Sequence, residues 1–287
     1  MARVDIVEVG PRDGLQNEAR LIPLADKIAL VDLLSQAGFT RIEVASFVSP
    51  GWVPQMADSA AVLAGIARRP GVRYSALTPN LRGYHDARAA RVDAVAVFAA
   101  ASEGFSKANL NCTIAESIDR FRPVMAAAHA DGIPVRGYVS VVTDCPFDGP
   151  VAAAAVARVV AALRDLGCVE VSLGETLGRA RPEQVAAMLA AVLDELPPDR
   201  LAGHFHDTAG GALDNIDAAL DMGLRVFDAA VGGLGGCPYA PGAAGNVATE
   251  RVAAHLAARG FVTGLDAAVL ARAAAMATAM RTRGADA

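Results

Sequence analysis

Apolar and polar positions alternate in blocks from one end of the chain to the other. Short, almost continuous apolar runs, such as residues 94–100, are separated by longer stretches with a helical spacing of apolar positions. Continuous apolar runs are typical of strands buried on both faces, whereas apolar positions spaced three to four residues apart are typical of helices. The pattern therefore predicts strands and helices in regular alternation.

Eight strands are predicted, and each is followed by a helix. The predicted strands cover residues 4–9, 41–47, 72–77, 94–100, 134–142, 169–173, 201–206 and 226–231. The predicted helices cover residues 23–37, 58–68, 80–90, 150–166, 182–196, 212–222 and 247–259, with one more starting near Thr113 after the fourth strand. Thr113 and Glu116 have the spacing of a capping box. A last helix, near residues 266–280, follows the eighth unit.

This order of elements predicts the α/β class and a (β/α)8 TIM barrel, a fold of roughly 250 residues. The main rival is a doubly wound sheet, which would carry a glycine-rich fingerprint where this chain has Gly10-Pro11-Arg12-Asp13-Gly14. No linker divides the sequence, so we predict one catalytic domain over residues 1–287 with an appended helix at 265–282. We expect a homodimer, and the appended helix either forms part of its interface or caps the bottom of the barrel.

Composition and charge exclude several classes of protein. The chain is 53% hydrophobic, but no apolar run reaches the about 18 residues that span a bilayer, so we expect no membrane partner. The net charge of −5 argues against a nucleic-acid partner. The four cysteines are far apart and form no CxxC pair, which argues against disulfides and a structural zinc site. With no signal segment before the first predicted strand, we expect a cytoplasmic location.

Two histidines at the end of the seventh predicted strand indicate a metal site. His204 and His206 are two residues apart, so their side chains lie on one face of a strand. Asp13 after the first strand and Asn246 after the eighth would add oxygen ligands, and such a mixed set suits Mg2+ or Mn2+. Each residue also has a simpler interpretation: packing for a histidine, a turn for Asp13 beside Gly14, and a helix N-cap for Asn246, which is the better local interpretation.

Two further residues have open interpretations. Glu43 would be costly inside an apolar strand, so it lies either near the barrel mouth or beside Arg41 on the surface. A lone cysteine such as Cys237 is most often buried, but its glycine-rich surroundings make burial less expected.

Three sequence motifs resemble the 3-hydroxy-3-methylglutaryl-CoA lyases. Residues 7–18 (VEVGPRDGLQNE) resemble the opening signature of that family. Residues 46–50 (SFVSP) and 52–56 (WVPQM) resemble its second block, and residues 234–240 (LGGCPYA) and 245–250 (GNVATE) resemble its catalytic loop. The resemblance covers essentially the whole chain. It implies cleavage of a CoA thioester, 3-hydroxy-3-methylglutaryl-CoA, to acetyl-CoA and acetoacetate with a divalent cation.

The resemblance also implies roles for individual residues. It implies that a metal ion is bound by Asp13, His204, His206 and Asn246. Arg12 would stabilise the enolate of acetyl-CoA, Glu43 would be a polar partner of the metal site, and Cys237 would transfer a proton. For the substrate and its CoA portion, the contacts that we expect are Gln16, Ser46, Lys107 and Asn109, with Lys107 in a loop after the fourth strand.

The chain departs from the family pattern after the sixth and seventh strands. Glu175 stands where the family usually has aspartate, Arg179 lies in a segment that is usually small, and Ala209 and Gly211 replace an aromatic residue and a glutamine. These changes leave the implied metal ligands intact. They put the identity of the acyl group in question and make a longer 3-hydroxy-3-alkylglutaryl-CoA an alternative substrate.

Three other functions compete with the lyase. An acetyl-CoA-dependent Claisen condensation synthase would share the metal residues but generally lacks the Gly-Gly-Cys-Pro loop. A Schiff-base aldolase needs a buried lysine at a strand end, and of the two lysines only Lys107 comes near one. A non-catalytic barrel would have no need of the combined metal, arginine and cysteine residues.

Overall fold

In the computed structural model the chain forms a closed barrel of eight parallel strands that follow one another in chain order. The structure describes the backbone of residues 2–237 and 240–282 and the side chains of residues 2–235 and 245–281. In chain order the strands are β1 (Asp5–Glu8), β2 (Arg41–Ser46), β3 (Arg73–Leu77), β4 (Ala94–Ala100), β5 (Val135–Ser140), β6 (Asp144–Cys145), β7 (Gly149–Pro150), β8 (Glu170–Glu175), β9 (Leu201–Phe205), β10 (Val226–Ala229), β11 (Gly236–Cys237) and β12 (Ala240–Ala244). β6 pairs with β7 and β11 with β12 as short hairpins outside the barrel.

Helices surround the barrel. They are α1 (Leu24–Leu34), α2 (Ser59–Gly65), α3 (Leu81–Ala89), α4 (Glu103–Leu110), α5 (Ile114–Asp131), α6 (Ala153–Leu166), α7 (Pro182–Val192), α8 (Ala212–Asp221), α9 (Thr249–Ala258) and α10 (Ala267–Thr282). Among the described residues, none of these helices is long and apolar enough to cross a membrane. The predicted (β/α)8 barrel with an extra C-terminal helix is confirmed.

The two faces of the barrel strands differ in polarity. On β8, Val171 and Leu173 are fully buried in the apolar core shared with Val185 and Leu189 of α7. Since successive strand residues point to opposite faces, Ser172 points towards the barrel axis, where its hydroxyl donates to Asp228 at 2.8 Å. The interior of a TIM barrel is usually filled with branched apolar side chains. The polar interior of this barrel is therefore unusual and indicates a function for the polar side chains inside it.

Helix α4 is the largest element that the sequence pattern missed. It begins at Ser102, whose hydroxyl accepts a hydrogen bond from the Phe105 N–H at 3.3 Å, and it ends at Asn111, which has a left-handed φ of 53°. Lys107 and Asn109 consequently lie on the exposed side of a helix, and the expected place of Lys107 in a loop is wrong. The next helix begins as predicted, because Thr113 and Glu116 form both hydrogen bonds of the capping box.

The appended helix α10 lies along the side of the barrel. Near its start, the N–H of Asp266 donates to the carbonyl of Ala37 at 2.8 Å, just before β2 begins. Near its end, the Arg281 Nε donates to Glu18 at 2.9 Å, beyond the end of β1. The helix thus runs from the bottom of the barrel to the top, and the alternative in which it caps the bottom is wrong. Its part in a homodimer stays a prediction.

Candidate active site

A tight turn after β1 places two charged side chains at the top of the barrel. Residues Gly10–Gly14 form one π-helical turn, in which the N–H groups of Arg12, Asp13 and Gly14 all approach the carbonyl of Val9 at 2.7–3.2 Å. Asp13 is therefore a turn residue, as its simpler interpretation predicts. The same turn also directs its carboxylate to the barrel mouth.

Glu8 fixes this turn from below. One oxygen of its carboxylate accepts hydrogen bonds from the N–H groups of Gly10 at 2.8 Å and Val231 at 3.0 Å. The other accepts a hydrogen bond from the hydroxyl of Thr249 at 2.7 Å. Burial raises the pKa of Glu8 to about 7, although these three donors oppose the shift. The end of β1, the end of β10 and the start of α9 are thereby held together.

His204 and His206 lie side by side at the end of β9. Their ring centroids are 5.4 Å apart, and both residues are buried. The Nε2 atom of His204 is 3.8 Å from a carboxylate oxygen of Asp13. Because β1 and β9 are two strands apart in the barrel, with β10 between them, Asp13 and the two histidines can converge above the strand ends.

Asn246 joins them through an extra strand-like contact. The N–H of Asp207 donates to the carbonyl of Gly245 at 2.8 Å, which pairs Asn246 with His206 across an isolated antiparallel bridge. The Asn246 amide nitrogen then donates to Asp13 at 2.8 Å and to the carbonyl of Leu234 at 3.3 Å. Both hydrogen bonds use the nitrogen, which leaves the amide oxygen for a ligand. Helix α9 has Ala248 as its N-cap, so the interpretation of Asn246 as an N-cap is wrong.

The resulting donor set suits a divalent cation. Ligand atoms of Asp13, His204 and His206 lie within 4.8 Å of one another. Nδ1 of His206 is buried and has no hydrogen-bond partner in the described part of the chain, a condition that typically costs about 1–3 kcal/mol unless a ligand satisfies the atom. Burial lowers the pKa of His206 to about 4, so its imidazole is neutral and has a lone pair to offer.

Asp13 supplies the negative charge of this donor set. Burial by itself would raise the pKa of Asp13, but the neighbouring Arg12 and His204 outweigh it and lower that pKa to about 2. The carboxylate is therefore ionised at neutral pH. One carboxylate and two imidazoles form a mixed oxygen and nitrogen set of the kind that divalent cations accept.

Arg12 is held in a fixed orientation beside this set. Its Nε donates to Glu43, and its Nη1 donates to Asp13 at 2.6 Å. Burial disfavours the charge of the guanidinium, but Glu43 and Asp13 outweigh it and raise the pKa of Arg12 above its ordinary value. Because a guanidinium carries five N–H groups, these contacts leave the Nη2 end available for a substrate oxygen.

Glu43 lies inside the barrel. It is 1% exposed, and it accepts hydrogen bonds from Arg12 and from the hydroxyl of Tyr138. Arg41 instead pairs with Asp5 at 2.8 Å and with Glu170 at 3.0 Å. The interpretation that places Glu43 beside Arg41 on the surface is therefore wrong.

Sequence reasoning missed three residues beneath the site. Asp228 on β10 accepts a hydrogen bond from Nδ1 of His204 at 3.1 Å, and Arg136 on β5 donates to Asp228 at 2.8 Å. Burial opposes the ionisation of Asp228, but Arg136 and His204 outweigh it and hold its pKa well below the ordinary value. Tyr138 is the third. A charged residue within a predicted apolar strand, the feature that drew attention to Glu43, could also have indicated Asp228 and Arg136.

The other expected site residues lie in less defined surroundings. Ser46 ends β2, and its hydroxyl is buried without a hydrogen-bond partner among the described residues. Gln16 is half-buried after the Gly10–Gly14 turn. No described hydrogen bond joins the side chain of Lys107 or Asn109 to the donor set. The backbone of Cys237 belongs to β11, and its side chain lies outside the described residues.

Glu175 supports a loop in this structure. It shares the outer face of β8 with Val171 and Leu173, and its carboxylate is 3.4 Å from the hydroxyl of Thr143. Burial raises the pKa of Glu175, although nearby backbone N–H groups, including that of Arg179, oppose the shift. This position connects Glu175 to the acyl group only indirectly, through the loop that follows β8.

The loops after β8 and β9 touch each other. The N–H of Ala209 donates to the carbonyl of Gly178 at 2.8 Å. Arg179 and Ala209 are exposed, and Gly211 is half-buried. Arg179, Ala209 and Gly211, three of the residues at which the chain departs from the family pattern, thus belong to two loops in contact, whereas Glu175 is buried beneath them.

Comparisons with known proteins find similar sequences and similar structures over almost the whole chain. Residues 3–277 match the family model described as HMGL-like. A Pseudomonas aeruginosa protein named 3-hydroxy-3-isohexenylglutaryl-CoA/hydroxy-methylglutaryl-CoA lyase is 56% identical over 92% of this chain and 88% of its own. The crystal structure of the Brucella melitensis HMG-CoA lyase is 60% identical with a TM-score of 0.97 and covers 98% of this chain and 99% of its own. An Acinetobacter baumannii HMG-CoA lyase in complex with coenzyme A and 3-methylmalate is 37% identical with a TM-score of 0.92, over 97% of this chain and 91% of its own.

Proposed function

The chain belongs to the HMGL-like family, and from this premise we propose that it cleaves 3-hydroxy-3-methylglutaryl-CoA to acetyl-CoA and acetoacetate. The reaction is a carbon–carbon lyase reaction of the retro-Claisen type. The observation that carries the proposal is the convergence of Asp13, His204 and His206 within 4.8 Å, directly beside Arg12. The relatives named as lyases of this substrate, at 54–60% identity, support the same activity.

We propose that Asp13, His204, His206 and Asn246 bind one divalent cation, Mg2+ or Mn2+. When bound, such an ion makes a coordinated hydroxyl more acidic and orients the molecule that carries it. The protein contributes a rigid donor set. Asp13 is fixed by Arg12 and Asn246, and His204 is fixed by Asp228. A substrate whose tertiary hydroxyl and carboxylate are separated by one methylene could present both oxygen groups to an ion held by these residues.

Arg12 is proposed to stabilise the leaving enolate. When the C2–C3 bond of the deprotonated substrate breaks, the hydroxyl carbon becomes the ketone of acetoacetate and the electron pair moves to the thioester, which forms the enolate of acetyl-CoA. The proton lost from the hydroxyl balances the proton that the enolate later gains at carbon. The Nη2 end of Arg12 can donate to the enolate oxygen, while Glu43 and Asp13 hold the other donors. The guanidinium is thus oriented before the charge develops.

The substrate's CoA portion is proposed to cross the top of the barrel. Ser46 has a buried hydroxyl without a described partner close to the barrel mouth, and Gln16 follows the Arg12 turn, so both can contact the thioester region. Lys107 and Asn109 are exposed on α4 above β4, where a cation and an amide can bind the phosphates and polar groups of CoA. A cytoplasmic location remains a prediction.

The proposed activity is tested by acetyl-CoA release from 3-hydroxy-3-methylglutaryl-CoA. Purified protein is expected to release acetyl-CoA and acetoacetate in equal amounts with Mg2+ or Mn2+, and to lose activity after treatment with EDTA until either ion is restored. Absence of acetyl-CoA with both ions would contradict the proposed function. Full activity in EDTA would contradict the metal dependence alone.

The same assay with longer 3-hydroxy-3-alkylglutaryl-CoA thioesters addresses the acyl group. The alternative substrate is supported by the small side chains of Ala209 and Gly211 at the barrel top, and by the isohexenylglutaryl-CoA in the name of the Pseudomonas relative. We expect the methyl substrate to have the higher kcat/KM. A higher kcat/KM for a longer substrate would assign the enzyme to that substrate instead.

Replacing Cys237 with serine tests the proposed proton donor. The enolate must gain a proton at carbon to become acetyl-CoA, and a thiol with a pKa near ~8.5 is a far better donor than an alcohol. We expect kcat to fall by about 10^2–10^4-fold, the usual contribution of general acid–base catalysis, with Mn2+ affinity unchanged. Cys168→Ser, at a buried position under the helices, is the control for loss of a thiol. An unchanged kcat in Cys237→Ser would show that this residue takes no part in the mechanism. The alternative function, an acetyl-CoA-dependent Claisen condensation synthase, would then have to be tested.

A further inference from the structure

Arg136 is a charged residue inside the barrel, near the start of its strand. It lies on β5, and its side chain is 11% exposed. Three of its nitrogen atoms donate to three different side chains: Nε to Glu170 at 2.7 Å, Nη1 to Tyr138 at 2.9 Å, and Nη2 to Asp228 at 2.8 Å.

One chain of contacts leads from Arg136 to the metal site. Asp228 accepts from Arg136 with one carboxylate oxygen and from Nδ1 of His204 with the other, at 3.1 Å. Ser172 donates to that second oxygen at 2.8 Å, so the carboxylate cannot rotate freely. A carboxylate at Nδ1 fixes the tautomer and the ring orientation of a histidine and leaves Nε2 for a metal ion.

A second chain of contacts leads from Arg136 to Arg12. Nη1 of Arg136 donates to the hydroxyl of Tyr138, and that hydroxyl donates to Glu43. Glu43 then accepts from Nε of Arg12. The Tyr138 ring also contacts both guanidinium groups, whose central carbons are 5.5 Å (Arg12) and 5.0 Å (Arg136) from its centroid. Together these contacts hold the Arg12 guanidinium in one position and orient its remaining N–H groups.

We propose that Arg136 is a positioning residue that aligns both halves of the catalytic centre, through Asp228 to His204 and through Tyr138 and Glu43 to Arg12. The proposal rests on the proposed function, because it gives Arg12 a role in turnover. Arg136 itself contacts neither the proposed ligand atoms nor, in the proposed reaction, the substrate. Its effect would therefore appear as a loss of alignment in two measurable quantities, metal affinity and kcat.

Arg136→Lys is the most informative substitution. Lysine keeps the positive charge beside Asp228, which avoids leaving that buried carboxylate without its arginine partner's charge. A single ammonium cannot donate to three acceptors in the fixed geometry of the guanidinium fork. The variant should consequently fold while losing the alignment. Arg73→Lys, at an exposed arginine near the start of β3, two strands from β5 in the barrel, is the matched control.

Two partner variants separate the two chains of contacts. Asp228→Asn should weaken Mn2+ binding to the metal-free protein by about 10–100-fold, as is typical when the outer partner of a ligating histidine is lost. Tyr138→Phe should lower kcat by about tenfold or more through misplacement of Arg12, and should change Mn2+ affinity by less than about twofold. Arg136→Lys should show both defects, and Arg73→Lys should show neither.

Double variants decide whether the defects share a cause. The double variant with Arg136→Lys and Asp228→Asn should bind Mn2+ about as weakly as Asp228→Asn alone. The double variant with Arg136→Lys and Tyr138→Phe should have a kcat close to the lower kcat of the two single variants. Wild-type Mn2+ affinity and kcat in Arg136→Lys, or effects that multiply in both double variants, would overturn the proposal. Mn2+ affinity is measured without turnover. A wild-type protein that releases no acetyl-CoA would therefore refute the proposed function, but the effect of Arg136 on Mn2+ binding through Asp228 and His204 would still be tested.

Discussion

Replacing Arg12 with lysine is expected to lower kcat on 3-hydroxy-3-methylglutaryl-CoA by about 10^2–10^3-fold, the usual cost of losing one preorganised donor to a developing oxyanion. The guanidinium reaches Glu43 and Asp13 with two of its nitrogens and still has a third for the enolate. A lysine ammonium that pairs with these two carboxylates would have no fixed donor left for the substrate. The charge is kept, so the loss would report geometry.

Steady-state kinetics with Mg2+ would measure this effect. We expect the defect in kcat to exceed any change in KM, because the interaction with Arg12 forms only as the enolate forms. Arg20→Lys is a suitable control, since Arg20 lies on the same loop and donates to the carbonyl of Met280 at 3.2 Å. A kcat for Arg12→Lys within threefold of the wild type would argue against enolate stabilisation by this residue.

Replacing His206 with alanine is expected to weaken Mn2+ binding by more than about 100-fold, beyond the 10–100-fold range typical of the outer partners of metal ligands. Nδ1 of His206 is buried without a partner among the described residues, and the ring is neutral because burial lowers the pKa of His206. An unpartnered ring nitrogen and a neutral imidazole are the two properties that a metal-binding histidine needs. Activity at a fixed Mn2+ concentration should fall with the occupancy of the site.

Calorimetric titration of metal-free protein would measure the affinity, and thermal unfolding would give an independent readout. A cation that binds only the folded state raises its stability according to concentration and affinity. The Mn2+-dependent rise in Tm seen in the wild type should therefore disappear in His206→Ala. His255→Ala on α9, where His255 pairs with Asp217 at 2.8 Å, controls for the loss of an imidazole. An undiminished Mn2+-dependent rise in Tm in His206→Ala would exclude His206 as a ligand.

The fold was accessible from the sequence because the barrel is built from strongly patterned segments. The buried strands contain short apolar runs, of which Ala94–Ala100 is the clearest, and the helices have clear limits such as the capping box at Thr113. Helix α4 was missed because its few apolar positions give a weak periodic pattern, and its limits depend on a serine cap and a left-handed asparagine. Such local features have a weaker sequence pattern than a buried face.

The site was only partly accessible. The spacing of His204 and His206 indicates a metal from the chain alone, because two strand residues that share a face need no knowledge of the rest of the fold. Asn246 could not be placed in the same way, since its bridge to His206 is a tertiary contact between distant segments. The contacts inside the barrel could not be predicted from the sequence for the same reason. Glu43, Arg136 and Asp228 are individually unfavourable in apolar strands and make sense only when the barrel brings them together.

The hydrogen bond between Asp13 and Asn246 has a consequence for synthesis of the protein. The two residues are 233 positions apart, and the bond crosses the seam where β1 meets β10 and closes the barrel. During translation the amino-terminal part of a chain emerges first, at about 5–20 residues per second. The amino-terminal half can therefore acquire strands and helices early, but it cannot present the complete donor set to a metal ion. Nascent and truncated chains that end before residue 246 should lack the complete donor set. The site is therefore completed only at a late stage of folding.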